Sequence, residues 1–220
     1  MDKTIEIIKN KKCEVRQLAE LRTGEKQNQL FGYPSIFNSK ANIGDLFYEI
    51  IDSEAFRSTD FDDVAFYFNH DINAVPMARS RRNTPNSTLR LSTDSKGLMM
   101  EADLDIENNL DARKMMSAVN RGDVSGMSFM FRVDKDEWID LESEMPTRII
   151  KSISKVYEIS AVNYPAYENT EIYARSLEML DNNKRALDNE KRAIKKSKLL
   201  KQIKKENLEN ELKRCIKTHE

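Results

Sequence analysis

The sequence has few of the residues that build metal sites and disulfide frameworks. Its 220 residues include two histidines and two cysteines, and Cys13 and Cys215 lie near opposite ends. That spacing fits neither a disulfide framework nor a zinc site and is typical of a reducing compartment. No apolar run is long enough for a signal peptide or a membrane span, so we expect a soluble, non-secreted protein.

Net charge is also nearly absent, at a formal −1, which gives no general argument for binding nucleic acid or membranes. The balance is uneven along the chain, because residues 176–220 carry thirteen Lys or Arg against eight Asp or Glu. Acidic residues are interspersed among the basic ones, and no aromatic residue follows Tyr173. Both features argue against a nucleic-acid-binding arm at this end of the chain.

Glycine and proline are confined to one part of the chain: all six glycines and all five prolines fall between Gly24 and Pro165. The shift predicts a lead-in over residues 1–24, a domain over 25–175 and a charged helical or coiled-coil tail over 176–220. A solvated or partly disordered tail is the alternative interpretation. Lysines interrupt the heptad seam of the tail, whose apolar positions are Leu180, Leu187, Ile194 and Leu208.

Short segments rich in aromatic or branched residues predict that the central region is mostly β with packed helices, an α+β fold. One helix is expected within NNLDARKMMSAVNRGD, where Asp111 can cap the start and Gly122 can end it. A second helix is expected over residues 44–56. The predicted strands are AFYFNH, TLRLS, GLMMEADL, SGMSFMFRV and SKVYEISAV.

Three polar residues at these strands are candidate catalytic residues. Ser128 in SGMSFMFRV should point away from the face of Met127, Phe129 and Phe131. His70 follows the run AFYFN. Each residue also has an ordinary structural interpretation, since a strand serine can simply fill space and a histidine can remain neutral and bonded to its own loop.

Glu158 is the third candidate, because strand alternation places it on one face with Val156, Ser160 and Val162. A carboxylate in such partly apolar surroundings needs a partner. Histidine is a suitable one: its Nδ1–H can donate to the carboxylate while Nε2 faces a serine hydroxyl and removes its proton. Spacing along the chain does not establish that the three residues meet.

From about Glu14 to Arg175 the sequence resembles the prohead proteases of tailed bacteriophages, whose fold is related to that of the herpesvirus assemblins. Five segments occur in the family's order: FGYPSIFNSKANIGDLFYEIIDSEAF, DVAFYFNHDINAVPMARS, STLRLSTDSKGLMMEADL, NRGDVSGMSFMFRV and RIIKSISKVYEISAVNYPAYENTEIYAR. The first is similar to an opening strand, a turn and a helix. The stretch MARSRRN is more basic than expected, which bears on loop shape and substrate preference.

The resemblance implies an assemblin-like β-barrel serine endopeptidase with His70 as base, Ser128 as nucleophile and Glu158 as the orienting acid. It implies no cofactor and no metal, and the turn NYPAY is a candidate source of oxyanion donors. The implied partner is the major capsid protein or its scaffolding segment. Further candidates are the portal, the chain itself, and a homodimer or higher oligomer. The implied place of action is the host cytoplasm, inside the assembling prohead.

Three other functions are weighed against this one. The first is a catalytically inactive, protease-like scaffold protein that acts through its C-terminal helix. The second is an unrelated hydrolase of small esters, which the absence of a G-x-S-x-G motif disfavours. The third is the nucleic-acid-binding arm already considered.

Overall fold

The computed structural model describes residues 14–18, 21–163 and 170–217, which form two sheets and two helices. The prediction of a mostly β chain with packed helices is confirmed. In chain order the elements are β1 Glu14–Leu18, β2 Leu21–Thr23, β3 Gln29–Ile36, β4 Ala41–Ile43, β5 Phe47–Ile51, β6 Ala65–Phe68, β7 Ala78–Arg79, β8 Leu89–Thr93, β9 Gly97–Asp103, α1 Leu110–Arg121, β10 Gly126–Ile139, β11 Thr147–Val162 and α2 Thr170–Lys217.

The larger sheet is built around the antiparallel pair β10 and β11. Strand β1 pairs with β10, while β5 and β6 pair in parallel with opposite halves of β11. Strands β4 and β7 lie outside β5 and β6. The smaller sheet has the order β2-β3-β9-β8 and is antiparallel throughout. The sheets formed by the described residues do not close into a barrel, so the barrel part of the prediction is wrong.

One hydrophobic cluster joins both sheets and α1. Apolar positions that alternate along a strand bury one face of each sheet, and this burial is the main favourable contribution to folding. The largest fully buried side chains include Phe66, Phe129, Phe131, Leu30, Leu98, Met100 and Ile153.

Helix α1 confirms the predicted amphipathic segment. Its buried residues are Ala112, Met115, Met116 and Val119, the predicted apolar face. Gly122 ends the helix at φ 79°, in the left-handed conformation that glycine adopts without a steric penalty. The cap is Asn109 rather than Asp111, since the Asn109 side chain accepts hydrogen bonds from the N–H groups of Asp111 and Ala112.

The predicted helix over residues 44–56 is wrong, because its centre is strand β5. Phe47, Glu49 and Ile51 are buried and the residues between them are only partly so, which is the two-residue period of a strand. Strand β5 pairs with β4 on one side and β11 on the other. Short apolar runs fit either period, and here the sheet pairing selects the strand.

Helix α2 confirms the prediction of a long charged helix. Leu187 is buried, whereas residues 188–207 are exposed throughout. The large exposed apolar side chains in this stretch are Ile194, Leu199, Leu200 and Ile203. Among the described helices, neither is long and apolar enough to cross a membrane.

Arg148 on β11 is buried and connects four elements of the chain. Its guanidinium makes a two-point contact with Glu14 of β1, at 2.7 and 2.9 Å. Glu49 of β5 and Asp136 of β10 lie 3.2 and 2.6 Å from the same group. Burial disfavours the charged guanidinium, but these carboxylates raise the pKa of Arg148 above its ordinary value. Asn183 of α2 accepts a hydrogen bond from Arg148 at 3.4 Å, and this bond connects the tail helix to the sheet.

Candidate active site

Strand β10 places Ser128 as the sequence predicts. Met127, Phe129 and Phe131 belong to the hydrophobic cluster, while Ser128 and Met130 alternate with them and lie outside it. Ser128 is nevertheless only 1% exposed. It lies opposite Gln17 of β1 on one side and Ser160 of β11 on the other.

Glu158 on β11 lies directly opposite Met130, two residues along from the Ser128–Ser160 pair. Residues directly opposite in an antiparallel ladder share a face, so Ser128, Glu158 and Ser160 lie on the same side of the sheet. The prediction that Val156 also shares this face is wrong. Met130 lies opposite Glu158, but the next residue, Phe131, lies opposite Val156, so the register shifts by one residue between them. This bulge places Val156 in the hydrophobic cluster.

His70 follows β6, the strand that runs parallel to the end of β11 that carries Glu158. Asn69 donates its N–H to Ala161 O at 2.9 Å, and the Asn69 side chain accepts a hydrogen bond from Asn163 N–H at 3.1 Å. These bonds fix the turn after β6 against β11. The Nδ1 atom of His70 contacts Oε1 of Glu158, and both side chains are buried.

The contact between His70 and Glu158 is the predicted pairing of a histidine with a buried carboxylate. A carboxylate that accepts from Nδ1–H fixes the tautomer in which Nε2 is free to accept a proton. The structure therefore brings two of the predicted site residues into contact and places the third, Ser128, on the strand beside them.

Ser160 is a polar residue of this site to which the sequence analysis gave no role. It is fully buried, its Oγ donates to Oε2 of Glu158 at 2.7 Å, and it accepts from the backbone N–H of His70 at 3.1 Å. Its position two residues from Glu158 on one strand face was the available signal. Nothing in the sequence showed that the His70 backbone would reach it.

Tyr67 extends the polar face beyond the serines, since it lies opposite Ser160 in the parallel pair of β6 and β11. Burial raises the pKa of the Tyr67 hydroxyl, and the charges of Glu158 and Asp71 raise it further, while Arg79 opposes them. The phenol is therefore neutral at physiological pH and can act as a hydrogen-bond donor.

The described residues contain no group of three or more His, Cys, Asp or Glu side chains arranged to hold a metal ion. The predicted source of oxyanion donors, the turn NYPAY, lies outside the described residues from position 164 onward, and so does His219.

Comparisons with known proteins agree with the resemblance seen in the sequence. The prohead protease of Enterobacteria phage HK97 is 32% identical over 157 residues, which cover 69% of this chain and 62% of that protein. The chain thus matches less than two thirds of the relative's length. No solved structure gives a significant match. The family described as caudovirus prohead serine protease matches residues 11–185, and the chain therefore belongs to that family.

Proposed function

We propose that this protein is a serine endopeptidase that cuts the scaffolding part of a phage major capsid protein, and also itself, during prohead maturation. The observation that carries the proposal is the buried contact between His70 and Glu158 beside the strand that holds Ser128. A histidine paired with a carboxylate can serve as the base of a serine nucleophile together with its orienting acid, and the family of this chain is described as a serine protease. The proposed place of action is the interior of the assembling prohead in the host cytoplasm.

In the proposed mechanism, Ser128 Oγ attacks the carbonyl carbon of the scissile peptide bond while His70 Nε2 takes its proton. Glu158 stabilises the imidazolium, and the imidazolium later gives the proton to the leaving amine. Water then hydrolyses the acyl-enzyme with His70 again acting as base. The reaction uses only these side chains and backbone donors, so no cofactor is needed. The structural relationship to the assemblins and the oligomeric state stay predictions.

The exposed part of α2 is proposed as an arm that recruits the enzyme to its substrate. Leu199, Leu200 and Ile203 are each more than two fifths exposed, and six lysines lie between Lys195 and Lys205. An apolar strip flanked by positive charge fits an acidic amphipathic helix of a scaffolding segment. The same helix could instead be removed by self-cleavage.

The first test compares the full chain with its Ser128→Ala variant, each incubated with the cognate capsid protein and followed by intact mass. We expect the wild type to cleave and the variant to leave both chains whole, because residual hydrolysis without the nucleophile is several orders of magnitude slower. The masses also identify the cut sites.

Ser154→Ala, on the same strand as Glu158 but outside the site, serves as the matched control and should cleave normally. Equal cleavage by Ser128→Ala and wild type would remove Ser128 as nucleophile. If neither cleaves while both are folded, the inactive scaffold function becomes the better account.

A further inference from the structure

The proposed mechanism uses His70, Ser128 and Glu158 but leaves the buried hydroxyl of Ser160 without a role. That hydroxyl contacts both members of the acid–base pair: the Glu158 carboxylate at 2.7 Å and the His70 backbone N–H at 3.1 Å. Each oxygen of Glu158 consequently has its own partner, with Oε1 at His70 Nδ1 and Oε2 at Ser160 Oγ.

We propose that Ser160 is a positioning residue, which locks the carboxylate of Glu158 and the backbone of His70 in the geometry that the base needs. This inference rests on the proposed function and adds a fourth residue to it. Ser160 acts through Glu158 and His70 and takes no proton from the substrate.

The carboxylate needs such a second contact because the terminal torsion of a glutamate is broad. A single bond to Nδ1 leaves the carboxylate plane free to turn, whereas a donor on the other oxygen fixes it. A hydrogen bond to an ionised group is also stronger than one between neutral groups. With Ser160 present, the Glu158 carboxylate is held at both oxygens.

The His70 backbone needs the contact for a different reason. Asn69 and His70 have φ of 47° and 60°, a left-handed conformation that is costly for residues other than glycine. In this turn the N–H of His70 is buried and points at Ser160. A buried N–H without an acceptor would destabilise the turn. Serine suits both contacts because its hydroxyl donates one hydrogen bond and accepts others.

A serine also suits the position sterically. Ser160 lies between Ser128 of β10 and Tyr67 of β6, one on each neighbouring strand. Side chains directly opposite on adjacent strands are in contact range, so a large residue here would press on Ser128. The fold therefore favours a small residue at this position, and the two hydrogen bonds favour a hydroxyl.

The test measures how fast a fluorophosphonate labels Ser128 in the full chain, with intact mass as the readout. Ser128 Oγ forms a bond to phosphorus, fluoride leaves, and the hydroxyl proton passes to His70, so the rate reports the base directly. We expect Ser160→Ala to slow labelling by about ten- to a hundredfold, the effect of losing one hydrogen bond to a charged group. Ser154→Ala, the control on the same strand, should label at the wild-type rate.

A double-mutant cycle separates positioning from a general structural effect. Because part of the effect of Ser160 passes through Glu158, Ser160→Ala should slow labelling by a clearly smaller factor in the Glu158→Gln background than in the wild type. The same slowing factor in both backgrounds would overturn the proposal. Equal labelling of Ser160→Ala and wild type would also overturn it while leaving the proposed function intact.

Two further results complete the test. If Ser160→Ala does not fold, the shape-matched pair Ser160→Thr and Ser160→Val replaces it, and only the hydroxyl-bearing member should label rapidly. Equal rates for that pair would overturn the proposal. A wild-type chain that is not labelled at Ser128 would overturn the proposed function itself, and this inference with it.

Discussion

At the scale of single residues, the turn that carries His70 is held in place by amide and hydroxyl groups. Asn69 adopts a left-handed conformation and makes two hydrogen bonds with the end of β11 and the residue after it: its N–H donates to Ala161 O, and its side chain accepts from the N–H of Asn163. Asparagine tolerates this conformation better than most residues. The left-handed turn thus lies where His70 Nδ1 contacts Glu158.

We expect Asn69→Gly to keep the left-handed turn but to destabilise the protein by about 1 kcal/mol, because the hydrogen bond to Asn163 is lost. Asn69→Val should cost about 1–2 kcal/mol more, since a β-branched residue is strained at positive φ. Urea unfolding measures both, and the rate of Ser128 labelling should fall with them.

Asn83 provides the matched control for Asn69. It has φ 50° and its side chain bonds the backbone of Leu91, well away from His70 in the chain. Asn83→Gly should cost comparable stability without slowing the labelling of Ser128. A wild-type unfolding midpoint for Asn69→Val would contradict the account of the turn.

At the scale of elements, the hairpin of β8 and β9 is joined by an ion pair that depends on pH. Arg90 donates to Asp103 at 2.7 Å, and Gln29 of β3 donates to the other oxygen of Asp103 at 3.2 Å. The hydrogen bond from Arg90 lowers the pKa of Asp103, against the opposing effect of burial. The carboxylate is therefore more acidic in the folded chain than in the unfolded one.

A depressed pKa in the folded state means that the unfolded chain binds the proton more readily. The stabilisation from Asp103 is complete above its unfolded pKa of about 4 and is lost as pH falls through its lower folded value. We expect Asp103→Asn to be less stable than wild type at neutral pH and to lose less on acidification. Urea midpoints at neutral pH and at about pH 3 measure the difference, and an identical fall in both proteins would contradict it.

At the scale of the whole molecule, α2 has two parts with different surroundings. Asn183 bonds the buried Arg148 and Leu187 is buried, while Lys198 contacts Glu142 beyond the end of β10. Leu199, Leu200 and Ile203 lie past these contacts and are exposed. The segment around Asn183 and Leu187 therefore packs against the folded domain, whereas Leu199, Leu200 and Ile203 are accessible.

Deleting residues 199–220 should therefore leave peptidase activity unchanged and reduce incorporation into proheads. Deleting 177–220 should in addition lower stability, because Arg148 loses the contact with Asn183 and Leu187 is removed. The number of protease copies per purified prohead measures incorporation. Thermal unfolding and Ser128 labelling of each variant measure stability and activity separately.

The matched point variant replaces Leu199, Leu200 and Ile203 with serine and keeps the length and charge of the helix. It should reduce incorporation as the shorter deletion does. Normal incorporation of both would remove the recruiting role and leave self-cleavage or a spacer as the function of this segment.

The sequence by itself determined the local features. The apolar face of α1 and its glycine stop, the alternation that separates Ser128 from Phe129, and the long charged helix all follow from periodicity and residue type. Those features depend on neighbours within a few residues, and they were predicted correctly. The residue types of the candidate site were also evident, since histidine is rare in this chain.

The tertiary structure alone decided which residues meet. Strand β5 forms because β11 provides a parallel partner about a hundred residues later in the chain, which no local window contains. The bulge opposite Met130 reverses the face of Val156, and the parallel pairing of β6 with β11 brings His70 to Glu158 and Ser160. Register and strand order arise from hydrogen bonds between distant segments. Composition and spacing therefore indicate the residue types of this site, while the pairing of β10 and β6 with β11 brings those residues together.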